Sequence, residues 1–415
     1  MIKHMNIEYT VNNDLCTGCG ICINACPKNC IKTVIDHDEF RPSIDSAKCV
    51  SCGKCLKSCP GIGINLKKFS KDLFPDGKNR DDYIGTYDAC YTGYSNSYDI
   101  RFHSASGGVT TQFLIWLLDN KKIDGAIVTK FDKSHPLKVN TFIARTSCDI
   151  LSAKSSKYGP VSLDSAIQQI KSMEGEKFVV VGLPCHIQGI RKLCTFDKEL
   201  NNKIYGLFSL YCSGTRTFGF TRYLLKERRI NIDDIDFLAY RDNGCLGGLV
   251  IKGEGIDYYQ DYQKYSHPLR TIFYPQRCFL CIDHFGELSD ISFGDIHVKP
   301  YSDDKVGINS LIVRNHKWLT LIKQAAADGV ITLNELNPDL LLKSQPIARL
   351  KKTRNLGFCF LRKRIGKKSP DYNNKESYII NCSLLVKYCF YSSLMYIGRH
   401  QSLWWTIQFI KSKKH

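Results

Sequence analysis

The chain has 415 residues, a formal charge of +18, 43% apolar residues and 24% charged ones, a globular composition over a length suited to two or three packed units. Its 20 cysteines, behind an N-terminus (Met-Ile-Lys-His-Met-Asn-Ile-Glu) without a signal-peptide pattern, argue against a disulfide scaffold. Metal ligation or redox work in a cytoplasmic protein is the expectation, and no apolar run reaches the roughly 18–20 residues of a spanning helix.

Cys16, Cys19, Cys22 and Cys26 run into Pro27 as C-x2-C-x2-C-x3-C-P, and Cys49, Cys52, Cys55 and Cys59 repeat the pattern into Pro60, each 33 residues after its counterpart. Three thiolates on a tight loop reach three corners of a 4Fe-4S cube, and the fourth comes from the other motif. The expected sets are therefore Cys16, Cys19, Cys22 with Cys59, and Cys49, Cys52, Cys55 with Cys26. Gly18, Gly20 and Gly53 suit backbone turning closely around a cluster. A structural zinc site is the competing reading, and it does not need the triple-loop rhythm. Cys30 is expected to be buried packing.

Residues 69–90 are polar and turn-rich and read as a linker or a wrapping segment. Arg101-Phe-His-Ser-Ala-Ser-Gly-Gly108 then feeds a helix through Phe113, Trp116 and Leu117. Such a loop is either a phosphate cradle or only a helix cap. A strand is expected from Gly125 to Phe131, and Ser156-Lys157-Tyr158-Gly159 precedes a helix capped near Ser162. Phe178–Val181 reads as a buried strand, followed by Gly182-Leu-Pro-Cys185-His186 and a helix through Ile190 and Leu193. The next strand, Ile204 to Tyr211, ends in Cys212-Ser-Gly. Strand, helix and strand make a parallel unit, so Cys185 and Cys212 fall at the carboxyl edge where open α/β sheets place ligands. With Cys278 and Cys281 they could close a third 4Fe-4S site, and a zinc knuckle or redox dithiol at the C-x2-C is the alternative. Asp283 and Asp295 either orient a cofactor or cap loops. Cys90, Cys148, Cys194, Cys245, Cys359, Cys382 and Cys389 show no ligand spacing and read as small apolar residues.

Residues 351–368 hold eight basic residues and no acid, followed by apolar and aromatic stretches at 384–397 and 404–410. The preferred reading is a solvated basic stretch plus helices packed on the body, against a basic amphipathic segment resting on a membrane. The net charge, less about six units for three dianionic clusters, favours anionic partners: acidic electron carriers, phosphate-bearing cofactors or a membrane surface. The partners expected are a redox protein or a small-molecule electron donor or acceptor, and an anionic hydride-carrying substrate. No nucleic-acid motif accompanies the charge, so no nucleic acid is expected. Oligomeric state is open.

The two-cluster unit, Ser104-Ala-Ser106-Gly107-Gly108, Gly182-Leu-Pro-Cys185, Arg277-Cys278-x-x-Cys281 and Ser289-Asp-Ile-Ser-Phe-Gly-Asp295 together resemble the coenzyme F-420 hydrogenase/dehydrogenase beta-subunit family, over about residues 8–345. The resemblance implies a flavin, usually FAD, beside a 4Fe-4S cluster. Ser104, Ser106, Gly107 and Gly108 would hold flavin phosphates, Ser156, Lys157 and Tyr158 would line the flavin site, and Cys185, Cys212, Cys278 and Cys281 match the cluster cysteines. His186 stands where many relatives carry Gln. The expected fold is α+β or α/β: a bacterial-type dicluster ferredoxin domain over 1–68, the linker, and a mixed α/β flavin- and cluster-binding domain in two parts, 91–175 and 176–345, before the tail 346–415. The function so implied is a flavin-dependent iron–sulfur oxidoreductase that passes electrons between ferredoxin-type clusters and a hydride-exchanging flavin, with a deazaflavin or another conjugated substrate. A non-catalytic relay subunit or partner-binding scaffold is the alternative. No catalytic acid or base is assigned.

Overall fold

The computed structural model describes residues 5–132, 135–269, 271–373 and 381–412. At its N-terminus, β1 (Ile31–Asp36) and β2 (Glu39–Ile44) pair antiparallel beside two short helices, Ile21–Asn24 and Lys54–Ser58. Each of these helices starts from a glycine in the left-handed region, Gly20 at φ 75° and Gly53 at φ 72°. Any other residue would be strained there, and the turn aims the following cysteine inward.

The segment read as a linker carries regular structure. A helix spans Leu66–Leu73, and β3 (Asn79–Asp81) pairs with β4 (Gly85–Tyr87) in a hairpin. Its polarity reflects an exposed outer face rather than a lack of structure. β5 (Ala89–Ser95) follows directly and enters the main sheet.

The remaining strands are β6 (Gly125–Asp132), β7 (His135–Ala144), β8 (Phe178–Gly182), β9 (Ile204–Leu210), β10 (Ile235–Asp242), β11 (Gly248–Gly253), β12 (Ile256–Asp261), β13 (Ile291–Asp295), β14 (Asn309–Val313) and β15 (Ile331–Glu335). β10, β11 and β12 form a separate antiparallel sheet. The main sheet has eight strands in the order β15-β5-β14-β13-β9-β8-β6-β7. Its centre is parallel, β6 with β8, β8 with β9 and β9 with β13, and its flanks are antiparallel. Phe178, Val179, Val180 and Phe208 are fully buried, as central strands covered on both faces require. Residues on either side of position 175 interleave in this one sheet.

One face is covered by α1 (Val109–Asp119) with the helix His316–Ala327, and the other by α2 (Pro184–Cys194) with the helix Asp164–Lys171. The ferredoxin-like unit sits on the α2 side. Leu15, Ile21 and Ala25 share a core with Ile187, Ile190 and Leu280. Gly189 makes this approach close: a Cβ there would lie 2.9 Å from Ile21 Cγ1. Backbone and side chains add Leu163 N–H to Cys19 O at 3.1 Å, Lys192 Nζ to Cys59 O at 2.6 Å and Arg277 Nη2 to Pro60 O at 3.0 Å. Each fully buried aliphatic side chain contributes about 1.5–3 kcal/mol, against about 1 kcal/mol for a hydrogen bond, so apolar contact dominates the seam.

In the tail, α3 (Cys382–Arg399) and α4 (Thr406–Ser412) pack on the body through Tyr391, Leu394, Met395, Trp404 and Ile407. Arg399 reaches Glu39 at 3.1 Å and Asp14 at 3.5 Å. The basic run 351–368 is not wholly solvated as expected, because Lys351 and Arg362 are buried. Arg362 donates to Asn13 O at 3.0 Å and Lys368 O at 2.9 Å, and these carbonyls offset its desolvation. Among the described residues no helix is long and apolar enough to cross a membrane.

Candidate redox site

Twelve thiols fall into three sets. Cys16, Cys19, Cys22 and Cys59 line one cavity, and Cys26, Cys49, Cys52 and Cys55 line a second. The second cavity also holds Cys30, which is buried as expected, although its Sγ lies 3.3 Å from Cys26 Sγ. Backbone amides aim at sulfur: Gly18 N–H lies 3.4 Å from Cys16 Sγ and Gly61 N–H 3.2 Å from Cys59 Sγ. Burial, then the neighbouring Cys59, pushes the Cys19 thiol up to about 11. Such thiols keep their protons unless a metal takes them.

The third set stands at the carboxyl edge of the parallel strands. β8 and β9 lie in register with Gly182 opposite Ser209, so Cys185 at the start of α2 and Cys212 after β9 emerge side by side. Cys278 and Cys281 come from the turn Gln276–Leu280 and its C-cap. Burial, and then Cys19, Cys212, Cys281 and Cys278, push the Cys185 thiol well up. Cys185 therefore faces three thiols of its own set and Cys19 of the first.

Among the described residues no three His, Cys, Asp or Glu side chains converge closely enough to hold a single metal ion. Thiols spread in fours suit the corners of a 4Fe-4S cube better than a zinc tetrahedron, with its zinc–sulfur bonds of about 2.3 Å. The donor chemistry of all three sets fits such clusters.

The basic run supplies a residue that sequence reading missed. Lys351 Nζ, fully buried, donates to Cys212 O at 2.7 Å and Asp283 O at 2.8 Å and lies 3.5 Å from Cys281 Sγ. Burial opposes its charge, yet Cys281, Cys212, Cys278 and Asp283 push its pKa up to about 12. Only its place in an acid-free run hinted at it.

Asp283 acts as a loop cap: it accepts from Gly286 N–H at 2.8 Å, Glu287 N–H at 3.2 Å and Gln188 Nε2 at 2.9 Å. His186 is buried and structural. Its Nδ1 accepts from Leu183 N–H at 3.0 Å, leaving Nε2–H for Val161 O at 3.1 Å, and burial lowers its pKa to about 4. Cys90 and Cys359 are buried and Cys194 and Cys245 half-buried, whereas Cys148, Cys382 and Cys389 are exposed rather than core residues.

The residues proposed for flavin are brought toward one region. Ser106 neighbours Asp295, whose carboxylate pairs with Arg241 Nη1 at 2.7 Å. The Arg241 guanidinium lies 5.1 Å from the Tyr262 ring, which is 6.0 Å from that of Tyr158. Several donors are already committed to backbone. Ser104 Oγ donates to Ile100 O at 2.6 Å and Ser106 Oγ to Ile308 O at 2.8 Å. Lys157 Nζ donates to Ala153 O at 2.5 Å, Lys154 O at 2.6 Å and Ser155 O at 3.0 Å, although burial pulls its pKa to about 7. Gly107 is required by packing, since a Cβ would sit 2.7 Å from both Asn309 N and Gly93 O. Gly108, at φ 76°, starts α1, and Asn309 Oδ1 caps Val109 N–H at 3.1 Å. Ser156 is half-buried beside Tyr158.

One side chain here suits an anionic group. Arg216 is 4% exposed, its Nε has no partner, and its Nη1 has only two carbonyls at 3.4 Å. It lies 4.2 Å over the Tyr274 ring and 5.8 Å from Tyr158, one residue beyond Thr215, whose backbone bonds Cys278. A buried cation with no carboxylate partner among the described residues thus stands between the third thiol set and Tyr158, and this is the feature that fits a flavin. His103 Nδ1, 2.8 Å from Asp242 Oδ1, borders the same region and also went unassigned.

Comparison with known proteins identifies the family and the N-terminal unit. Residues 15–61 match the model of a 4Fe-4S dicluster domain. The coenzyme F420-dependent sulfite reductase of Methanocaldococcus jannaschii is 27% identical over 360 residues, 83% of this chain and 51% of that protein, so the chain spans about half its length. The coenzyme F420 hydrogenase subunit beta of Methanothermobacter thermautotrophicus is 28% identical over 306 residues, 69% of this chain and 99% of that protein. A chain of the F420-reducing [NiFe] hydrogenase complex from Methanosarcina barkeri shares the fold, with a TM-score of 0.56 at 21% identity over 71% of this chain and 99% of that one. With the N-terminal model of the coenzyme F420 hydrogenase/dehydrogenase beta subunit matched over 90–168 and its C-terminal model over 175–339, the chain belongs to that family.

Proposed function

We propose that this chain is a cytoplasmic flavin-dependent iron–sulfur oxidoreductase, in which three 4Fe-4S clusters form a line to an FAD that exchanges hydride with a deazaflavin-like or other conjugated substrate. The observation that carries it is the meeting of Cys185, Cys212, Cys278 and Cys281 beside Cys19 at the carboxyl edge of the sheet. The order of sets is second, first, third: Cys22 of the first senses Cys55 of the second, and Cys185 of the third senses Cys19. A bound flavin would supply the conversion between one-electron and two-electron (hydride) transfer. Arg216 would hold its negative charge, the Tyr158 and Tyr262 rings would line it, and the amides of the Gly107–Gly108 turn would face its phosphates. Ser104, Ser106 and Lys157 shape those loops through the carbonyls they already serve.

The test is the cofactor content of anaerobically purified protein. One released flavin with about twelve irons per chain supports this reading. About twelve irons without flavin would favour the second reading, a relay subunit docked on a catalytic partner, to which the committed Ser104 and Ser106 hydroxyls lend weight.

Electrons enter or leave at the second set. Cys52 is exposed, as are Val50 and the surrounding Lys28, Lys48 and Lys54, of which Lys48 lies 3.4 Å from Asp45. An acidic one-electron carrier suits this rim. The triple change K28E/K48E/K54E is expected to slow reduction by an acidic flavodoxin about tenfold at low salt, and added salt should slow the wild type similarly. Reduction by cationic methyl viologen should not slow. Equal slowing with both donors would mean damage to the cluster rather than a lost docking site.

A further inference from the structure

The tail helix α3 is apolar on two opposite sides. Successive residues turn by about 100°, which places Leu384, Tyr391, Leu394, Met395 and Gly398 on one arc. This arc meets the body: the Tyr391 ring lies 5.1 Å from that of Phe279, and Leu394, Met395 and Gly398 are buried. The opposite arc carries Leu385, Val386, Cys389, Phe390, Ser393 and Tyr396. Of these, Leu385 is 44% exposed, Val386 66%, Phe390 56% and Tyr396 58%, and Trp405 beyond the turn is 64% exposed. A helix lying on a globular body normally turns a polar face outward, and one apolar all round is covered on both sides.

The charges carried by this segment itself are of one sign. Residues 381–412 contain Lys387, Arg399 and Lys411 and no acid. Arg399 is taken by Glu39 and Asp14, and Lys411 pairs with Glu227. Lys387 is exposed, but it falls at the angle of the body-facing arc, on the first turns of the helix, and not on the outer one. The preceding helix, Leu356–Arg364, touches α3 through Arg362 Nη1, 3.4 Å from Tyr388 Oη. It ends in an exposed turn holding Lys363, Arg364, Lys367 and Lys368 around Ile365, itself 49% exposed. Lys363 has Asp371 at 4.0 Å, and among the described residues Arg364, Lys367 and Lys368 have no such ion pair. Large apolar and aromatic side chains beside lysines and arginines are the composition of a helix lying in a lipid headgroup layer. An indole at the polar–apolar boundary belongs to the same pattern.

We propose that the outer face of α3, with Trp405 and the basic turn 363–368, docks this protein on an anionic membrane surface without crossing it. This goes beyond the redox reading and does not depend on it. α3 would lie flat, with Leu385, Val386, Phe390 and Tyr396 in the upper acyl region and Lys363, Arg364, Lys367 and Lys368 among lipid phosphates. The body stays in water.

The experiment is flotation of the full-length holoprotein with phosphatidylcholine vesicles and with the same vesicles containing phosphatidylglycerol. Binding to the anionic vesicles only, falling with added salt, is expected. The pair V386S/F390S should weaken it about tenfold or more, and R364E/K367E by a similar factor, since each basic residue near an anionic surface adds roughly 1 kcal/mol. Both pairs alter exposed side chains, so iron content should stay at the wild-type value and serve as the folding control. Anionic vesicles should also shift tryptophan emission to the blue, and W405F should remove that shift. Equal binding to both vesicle types would overturn the anionic recognition. Absence of binding would overturn the proposal, and a dimer in sedimentation analysis that V386S/F390S dissociates would assign the face to a second copy of this chain instead.

Discussion

Replacing Cys185 by serine is expected to lower iron from about twelve to about eight per chain and to leave the ferredoxin-type signals in place. The other two thiol sets line their own cavities and do not use this residue. Cys185 is the member of the third set that faces both its partners and Cys19, so its loss removes a corner and the step toward the first set together. Iron and sulfide analysis with low-temperature EPR of the dithionite-reduced protein reads both effects. Reduction of the ferredoxin-type clusters should proceed, and electron delivery to flavin should fall by orders of magnitude. A wild-type protein holding only about eight irons, unchanged in the variant, would remove the third cluster and with it the enzyme reading.

The second large effect is expected at Lys351. Its ammonium is buried against Cys281 Sγ at 3.5 Å. A fixed positive charge there stabilises the reduced, more negative state of a cluster. At about 6 Å from the centre of added charge, with an effective dielectric near 20, this amounts to roughly 2–3 kcal/mol, or about 100 mV for one electron. Lys351→Met should therefore move the third-cluster potential about 100 mV more negative. EPR-monitored titration should show the other two clusters unmoved, with iron content unchanged. Lys351→Gln keeps a donor and loses the charge, so it separates electrostatics from packing: a shift as large as that of Lys351→Met implicates charge. An unmoved potential in both variants would make Lys351 a purely structural residue that serves Cys212 O and Asp283 O.

Much of this architecture could be read from residue spacing, because ligation leaves fixed intervals in a sequence. The cysteine duplication at an offset of 33 foretells two cavities, and the strand–helix–strand pattern from Phe178 places Cys185 and Cys212 on one edge. Contacts between residues distant in sequence leave no such interval. Nothing local connects Lys351 to Cys281, Arg241 to Asp295 or His103 to Asp242, since each pair meets only after the sheet has closed. The polar segment 69–90 reads as a linker because a short hairpin and an amphipathic helix expose polar faces. The Ser/Gly loop illustrates the opposite difficulty. Its residue types invite a phosphate, yet Ser104 and Ser106 spend their protons on carbonyls, and Gly107 is small because Asn309 and Gly93 press against it. The composition of α3 announces both of its faces, but only the fold shows which of them meets the body.

The close seat of Ile21 against Gly189 bears on how fast such a chain can work. Proteins that ferry charge on a tethered module must wait for the module to swing, and their throughput follows linker length and viscosity. Here the module is welded in place by a shared apolar core, so the interval between Cys19 and Cys185 does not fluctuate with diffusion. On the proposed reading, tunnelling across such a fixed gap would depend on distance, driving force and reorganisation energy, and not on a swing of the module. Evolution of such a chain can then adjust its rate by changing potentials one residue at a time, without altering any hinge.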